Sequence, residues 1–544
     1  MPPEIDLAPA DALQDGDMRT FTAQDTEVLL IRRQGQYLAL AAHCPHYGAP
    51  LEKGRIVNDQ LVCPWHHACF QVTDGHLCQP PALDKLPSYP VRVADGRVWV
   101  QVPRKPAASA DSPEKTPTAL VGGEAPPPHA AAPDTRTFVL VGGGAAGQFA
   151  AQTLRTEGFG GRIVLVTGQE EPPYDRTKLS KGFLAGKTDK TGLPLRKPEF
   201  YAEHQIEVEP ARVTGLNQHK QELQLSSQET LRYDALLLAP GSQPNLLPKL
   251  PGRELEGVLP LRTVEDATAL RQAASGAQRI VIIGASFIGM EAAASLTNEQ
   301  RHVTVVAQEA EPFERILGPK IGRAFRNLHR RQGVRFKSEA AVAALEGENG
   351  RVVAVRLESG QRLPADVVVL GVGVRPATDF LAEVLDLEKD GGLRVDANLC
   401  AAEHIYAAGD VAMFPLTGGL GQHRIEHWRM AQQQGACAAR NMLGRQEAFT
   451  AVPFFWTQQY GKSLRYAGHA SGWDEIIFHG DVRRLDFLAL YSLNNRIVAA
   501  AAMNRDDDMI CIEALLQQDR MPTPTAARKK ISWSKLLEQV APWA

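Results

Sequence analysis

Apolar residues alternate with polar ones in short runs near the start of the chain and again near its end. Residues 25–42, DTEVLLIRRQGQYLALAA, predict two strands joined at Gly35, the signature of a small β domain. Further strands are predicted at Leu61-Val62, Phe70-Val72 and Val98-Val102, separated by turns such as Asp74-Gly75 and Asp95-Gly96. Hydrophobic periodicity then stops over residues 104–134, which are rich in Pro, Ala, Gly and Ser. Such a segment cannot bury a core and reads as an inter-domain linker spanning roughly 30 Å. Beyond it the pattern changes to strands followed by helices. Strands are predicted over 136–141, 162–167, 279–283 and 302–306, a buried one over 365–374, and another before Gly409. From about residue 451 the alternation returns (EIIFHG, LDFLALYSL, RIVAAAAM), implying an antiparallel sheet backed by a short helix over 511–517.

At 544 residues the chain has room for three or more domains, and 44% hydrophobic content supplies their cores. Lys plus Arg number 59 against 62 Asp plus Glu, a net charge of -3, which leaves no electrostatic footprint for nucleic acid or an anionic membrane. No run of eighteen apolar residues is present to span a bilayer, and MPPEIDLAPA lacks the apolar region of a secretory signal. Seven cysteines, odd in number and sparse, argue against a disulfide framework. A soluble cytoplasmic protein is the expectation.

The densest chemistry lies in CPHYGAPLEKGRIVNDQLVCPWH, residues 44–66. Cys44 and His46 form a C-x-H pair, and Cys63 and His66 form a C-x-x-H pair. Two thiolates and two imidazoles on two short loops suit a [2Fe–2S] cluster in which one iron takes sulfur and the other nitrogen. Zinc accepts the same four ligands. The tight C-x-H spacing and the prolines after each cysteine, Pro45 and Pro64, favour the cluster. Over about its first hundred residues the chain resembles the Rieske family. That resemblance implies an all-β scaffold with Cys44 and Cys63 on the inner iron and His46 and His66 on the outer one. His43 and His67 flank the ligands and are expected to be second-rank neighbours or exposed; His67 stands where related ferredoxins usually have glycine. Cys69 and Cys78 are expected to pack.

Two glycine loops follow. Gly142-x-Gly144-x-x-Gly147 sits between a predicted strand and helix, with Glu170 beyond the next strand in place for a ribose. Gly284-x-Ser286-x-x-Gly289 repeats the arrangement, with Glu291 on its helix and Ser286 adding bulk at the middle position. With PYDRTKLSK (173–181), the LGVGV string containing Gly373, AAGD ending at Asp410, and EHW (426–428), residues 135–480 resemble the ferredoxin-reductase and apoptosis-inducing-factor branch of the FAD-dependent pyridine nucleotide oxidoreductases. The resemblance implies that Arg176, Gly373, Gly409, Asp410, Glu426, His427, Trp428 and Trp456 help form the flavin site. It implies further that Lys181 lies at the isoalloxazine paired with Glu291. Either tryptophan is equally well placed for core packing. This sequence departs from the family pattern at Thr177-Lys178, where two prolines are usual, and at Pro240, where threonine is usual. After the strand 302–306 the slot for an NADH-selecting acid holds Ala307, with Glu309 two residues on. No arginine cluster meets a 2′-phosphate there, so NADH is expected over NADPH, Arg315 being the counter-argument.

The expected architecture is multidomain: an all-β Rieske domain (1–103), the linker (104–134), then a doubly wound α/β FAD domain in two parts (135–265 and 373–450). An NAD(P)H domain of Rossmann type (266–372) is inserted between those parts, and an α+β interface domain (451–544) ends the chain. The expected cofactors are FAD, a [2Fe–2S] cluster and NADH, with NADPH as alternative. A C-x-x-x-x-C disulfide route for flavin electrons is closed, because no cysteine occurs between Cys78 and Cys400. The expected function is electron transfer from NAD(P)H through FAD to the chain's own cluster, then to an external one-electron acceptor, protein or small molecule. A homodimer is compatible with this reading. The competing expectation is a redox sensor or scaffold that oxidises NADH slowly.

Overall fold

The computed structural model describes residues 4–103 and 134–540. The expected linker falls almost wholly on 104–133, outside them. The described chain divides into two units.

The first unit is built on three antiparallel sheets. One pairs Glu4–Pro9, Arg97–Gln101 and Val91–Ala94. A second runs Met18–Ala23, Thr26–Arg33, Gln36–Ala41 and Ser88–Tyr89, with its hairpin turning at Gly35 as the alternation predicts. The third orders Arg55–Val57, Gln60–Val62, Cys69–Gln71 and Leu77–Gln79. Leu29, Ile31, Leu40, Leu61 and Phe70 close the core beneath the two ligand loops. The helices Asp506–Gln517 and Trp533–Val540 also belong to this unit. The sequence reading places both in the 451–544 domain; by their contacts they group with the β domain.

The second unit is built chiefly on two parallel sheets and one five-stranded antiparallel sheet, with smaller sheets beside them. The first parallel sheet has the order Ile206–Glu209, Arg162–Val166, Thr137–Val141, Ala235–Leu238, Ile405–Ala407, with Cys400–Ala402 antiparallel at its edge. Its three central strands, Arg162–Val166, Thr137–Val141 and Ala235–Leu238, are buried on both faces and therefore read as near-continuous apolar runs. The second comprises Val258–Pro260, Val367–Leu370, Arg279–Ile283, His302–Val306 and Arg335–Lys337. All five come from between the two stretches that build the first sheet. The chain leaves through Ser242–Pro244 and returns through Val374–Pro376, and these two segments pair antiparallel. The last sheet, Phe454–Gln459, Lys462–Gly468, Arg496–Met503, Asp486–Leu493 and Glu475–Asp481, shares a core with the second parallel sheet. Among the described residues no helix is long and apolar enough to cross a membrane.

Candidate cluster and flavin sites

Both ligand loops close by one hydrogen-bond pattern. The N–H of Cys44 donates to Ala49 O (2.9 Å), and Cys44 O accepts from Gly48 N (2.9 Å). In the second loop Cys63 N donates to Ala68 O (2.8 Å), and Cys63 O accepts from His67 N (3.1 Å). Each closure bends the fourth residue after the cysteine into the left-handed region, φ 75° at Gly48 and 57° at His67. Glycine takes that conformation freely, whereas histidine does so against steric cost.

The loops bring the four expected ligands together as two like pairs. His46 and His66 face each other Nδ1 to Nδ1 at 3.1 Å. Cys44 and Cys63 are both buried and in thiol contact; the neighbouring thiol, then burial, pushes the Cys44 thiol well above its ordinary value. Two adjacent buried thiolates need a cation between them. Among the described residues no three His, Cys, Asp or Glu side chains converge on a single ion. A mononuclear zinc site requires such convergence, while two irons bridged by sulfide each need only two protein ligands. The donor set therefore fits the cluster. His43 is exposed, bonded to Glu27 (2.7 Å). His67, expected as a minor neighbour, is fully buried and hydrogen-bonded through Nδ1 to Glu513. Cys69 packs with Val62 and Ile510, and Cys78 lies beside them.

In the first parallel sheet, Gly142 turns the chain at φ 113°, and a Cβ there would stand 2.0 Å from Ala239 O. Gly144 caps the helix Ala145–Thr156, whose first turn holds Gly147. That free helix N-terminus, flanked by glycine backbone, suits a pyrophosphate. Glu170, the expected ribose acid, is exposed. Its neighbour Gln169 turns in instead, accepting from Arg176 Nη2 (2.5 Å) and Tyr174 OH (3.1 Å). Arg176 also donates to Arg262 O at 3.0 Å. Asp410, next to Gly409, takes Arg262 Nη2 (2.6 Å) and the Ser242 hydroxyl on its carboxylate. Burial opposes its ionisation, but Arg262, Ser242 and Arg424 outweigh burial and hold the carboxyl below the usual range. Burial raises the Glu426 carboxyl although Arg424 donates to it at 2.5 Å. His427, against Phe455 at 4.6 Å, is driven by burial to a pKa of about 3 and is neutral. His427 Nδ1 and Arg262 Nε are buried without a protein partner. Buried polar atoms of this kind normally meet a ligand or water, which fits a flavin bounded by these side chains. Trp428 opens the helix Trp428–Met442 and packs on the core, while Trp456 lies on the strand Phe454–Gln459.

Lys181 and Glu291, 110 residues apart, meet at 2.7 Å. Glu291 is 3% exposed and takes two more donors, Ser180 Oγ at 2.5 Å and Thr457 Oγ1 at 2.7 Å. Thr457 accepts from Gln459 Nε2 (3.1 Å), and Gln459 Oε1 bonds His329 Nε2 (2.6 Å). Burial lowers His329 to about 4, so it is neutral and donates through Nε2. Sequence reasoning passed over Ser180 although it stands beside Lys181 in PYDRTKLSK, and missed Thr457, Gln459 and His329, whose link to Glu291 is long-range. At the second glycine loop the Ser286 hydroxyl turns back onto the chain. It caps its helix, accepting from Gly289 N (3.2 Å) and donating to Gly371 O (2.9 Å). Gly284 turns at φ 102°, and Gly373 lies exposed on the loop before the return strand. Glu309 is paired with Arg315 at 2.9 Å, so the arginine that could have met a 2′-phosphate is engaged by an acid.

Two nucleotide folds, one inserted in the other, and a mixed Cys/His loop pair define a flavin- and iron–sulfur-dependent dehydrogenase architecture. The chain belongs to the pyridine nucleotide-disulphide oxidoreductase family, whose model matches residues 136–435. Residues 4–90 match the Rieske [2Fe-2S] domain and 454–532 the reductase C-terminal domain. It is 38% identical to apoptosis-inducing factor 3 of Homo sapiens over 512 residues, 93% of this chain and 83% of that one. It is 34% identical to putidaredoxin reductase of Pseudomonas putida, covering 71% of this chain and 92% of that protein. The crystal structure of a ferredoxin reductase from Rhodopseudomonas palustris superposes with a TM-score of 0.71 at 30% identity, covering 75% of this chain and all of the other. The protein is an NAD(P)H-dependent oxidoreductase using FAD and a Rieske [2Fe–2S] cluster.

Proposed function

We propose that this protein draws electron pairs from NADH and dispenses them singly through its own cluster to an external one-electron acceptor. FAD, when bound, accepts the hydride pair, and a [2Fe–2S] cluster carries one electron at a time. Cys44, His46, Cys63 and His66 would hold the cluster. Arg176, Arg262, Ser242 and Asp410 would hold the flavin chain, with the glycine loop at Gly142 carrying its pyrophosphate. Lys181 and Glu291 form an oriented charge pair for the nicotinamide. Glu309, having engaged Arg315, favours the ribose diol of NADH over a 2′-phosphate. By likeness to putidaredoxin reductase, the acceptor is a small redox protein.

The observation that carries the reading is the presence of two like-ligand pairs, thiol with thiol and imidazole with imidazole, in one chain with the flavin cradle. Anaerobic rapid mixing with NADH tests it. Flavin absorbance bleaches first and cluster absorbance follows; a cluster that stays oxidised over many flavin turnovers defeats the relay. His66→Ala keeps NADH-driven flavin reduction and abolishes reduction of a cluster-dependent acceptor. The sensor reading draws on the 93% coverage shared with apoptosis-inducing factor 3. A long-lived NAD charge-transfer complex with poor turnover on every acceptor would select it.

A further inference from the structure

His67 combines three features that nothing in cluster ligation requires. It occupies the left-handed position that glycine fills in the twin loop, φ 57° against 75° at Gly48. Its side chain is completely buried, yet polar. It is hydrogen-bonded to Glu513, 446 residues away on the helix Asp506–Gln517. Glycine would relieve the backbone at this position, so the imidazole is retained against a conformational cost.

The same helix touches the same hairpin at two further points. Arg55, on the strand Arg55–Val57, forms a two-pronged contact with Asp507, 2.7 and 2.8 Å. Ile510, 2% exposed, packs against Val62 and Cys69, the residues that end and begin the strands on either side of the second ligand loop. Asp507 is half exposed, and a solvent-screened pair of this kind contributes little. The buried His67–Glu513 bond is therefore the contact that sets register, and only one peptide bond separates His67 from the ligand His66.

We propose that the helix Asp506–Gln517 is a latch on the second ligand loop, fastened by His67 and Glu513, and that cluster loading and latch attachment stabilise one another. The inference rests on the cluster reading given above. Its logic is linkage: the loop conformation that presents Cys63 and His66 to iron is the one that presents His67 to Glu513. Whatever secures one secures the other by the same factor.

Hydrogen exchange over residues 506–517 tests this on the full-length chain, before and after iron is removed with a chelator. Iron and acid-labile sulfide are assayed first. Iron removal should speed exchange in this helix severalfold and leave the helix Ala145–Thr156 unchanged. Glu513→Ala should speed exchange to a similar extent with the cluster still loaded, hasten iron loss to the chelator, and shift the EPR g-values of the reduced cluster. Glu513→Gln, which keeps an acceptor, should stay close to the parent on all three. His67→Gly should release the helix despite relieving its own backbone, and should add nothing in the Glu513→Ala background. Equal exchange in loaded and iron-free protein, or unchanged exchange and iron loss in Glu513→Ala, overturns the latch. Protein that never carries iron and sulfide overturns the cluster reading itself.

Discussion

Replacing Glu291 by glutamine tests the charge pair with almost no change in shape. In the parent, every neighbour of this carboxylate donates: Lys181 at 2.7 Å and Ser180 at 2.5 Å to Oε2, Thr457 at 2.7 Å to Oε1. An amide turned either way must aim its NH2 at one of these donors. Turned toward Lys181 it meets a cation and loses two bonds. Turned toward Thr457 it forces that hydroxyl to accept while Gln459 already donates to it. Lys181 meanwhile keeps a charge with no counter-ion. Removing one member of a buried pair costs about 3–5 kcal/mol, and the 25% exposure of Lys181 puts the loss near the lower end. If about 3 kcal/mol falls on the hydride step, flavin reduction slows roughly 150-fold. Thr457→Val removes one hydrogen bond to the charged carboxylate, about 1.5–3 kcal/mol, together with the acceptor of Gln459, and should rank between the parent and Glu291→Gln. Anaerobic stopped-flow reduction with NADH reads all three. A Glu291→Gln enzyme that reduces its flavin at the parental rate, with unchanged NADH saturation, refutes the reasoning.

Further outcomes are accessible with standard assays. His329 is neutral in the fold, with a pKa of about 4 against an ordinary 6.5. The unfolded chain alone takes up its proton between those values, so stability falls as pH drops from 6.5 to 4, by roughly 3 kcal/mol. A melting series from pH 7 to 4.5 should fall less steeply for His329→Gln; parallel slopes would contradict this. Asp410→Asn leaves Arg262 without its carboxylate and should raise the FAD dissociation constant at least about 10-fold, read as flavin fluorescence released on dilution. Elemental analysis should give two iron atoms and no stoichiometric zinc per chain, and Cys63→Ser should abolish both the iron and the sulfide. Recovery of one zinc instead would replace the cluster.

Legibility in the sequence tracked how local the determinants are. Cys44, His46, Cys63 and His66 could be picked out because each pair lies on one tight loop, so spacing alone encodes geometry. The strand-loop-helix units at Gly142 and Gly284 could be read for the same reason, since strand, turn and helix are contiguous. An acid beyond the second strand points to Glu170 by type and position, whereas the fold turns the amide of Gln169 inward. Ser286 read as bulk in a nucleotide loop, but its hydroxyl serves a cap and a carbonyl. The partners that complete each site arrive from far away: Thr457 is 166 residues from Glu291, and Glu513 is 446 from His67. Nothing within a window around either residue announces them.

The strand Ala235–Leu238 has a consequence for synthesis. It is buried throughout, and its partner on one side, Ile405–Ala407, leaves the ribosome about 170 residues later. At about 5–20 residues per second that interval is on the order of ten to thirty seconds. Throughout it the nascent chain displays an unpaired leucine-rich edge, while the five strands of the second parallel sheet emerge and close on themselves. Chaperone attendance should therefore be heaviest on ribosome-bound chains that end between residues 240 and 405, and production at reduced temperature should recover more native protein than production in the warm.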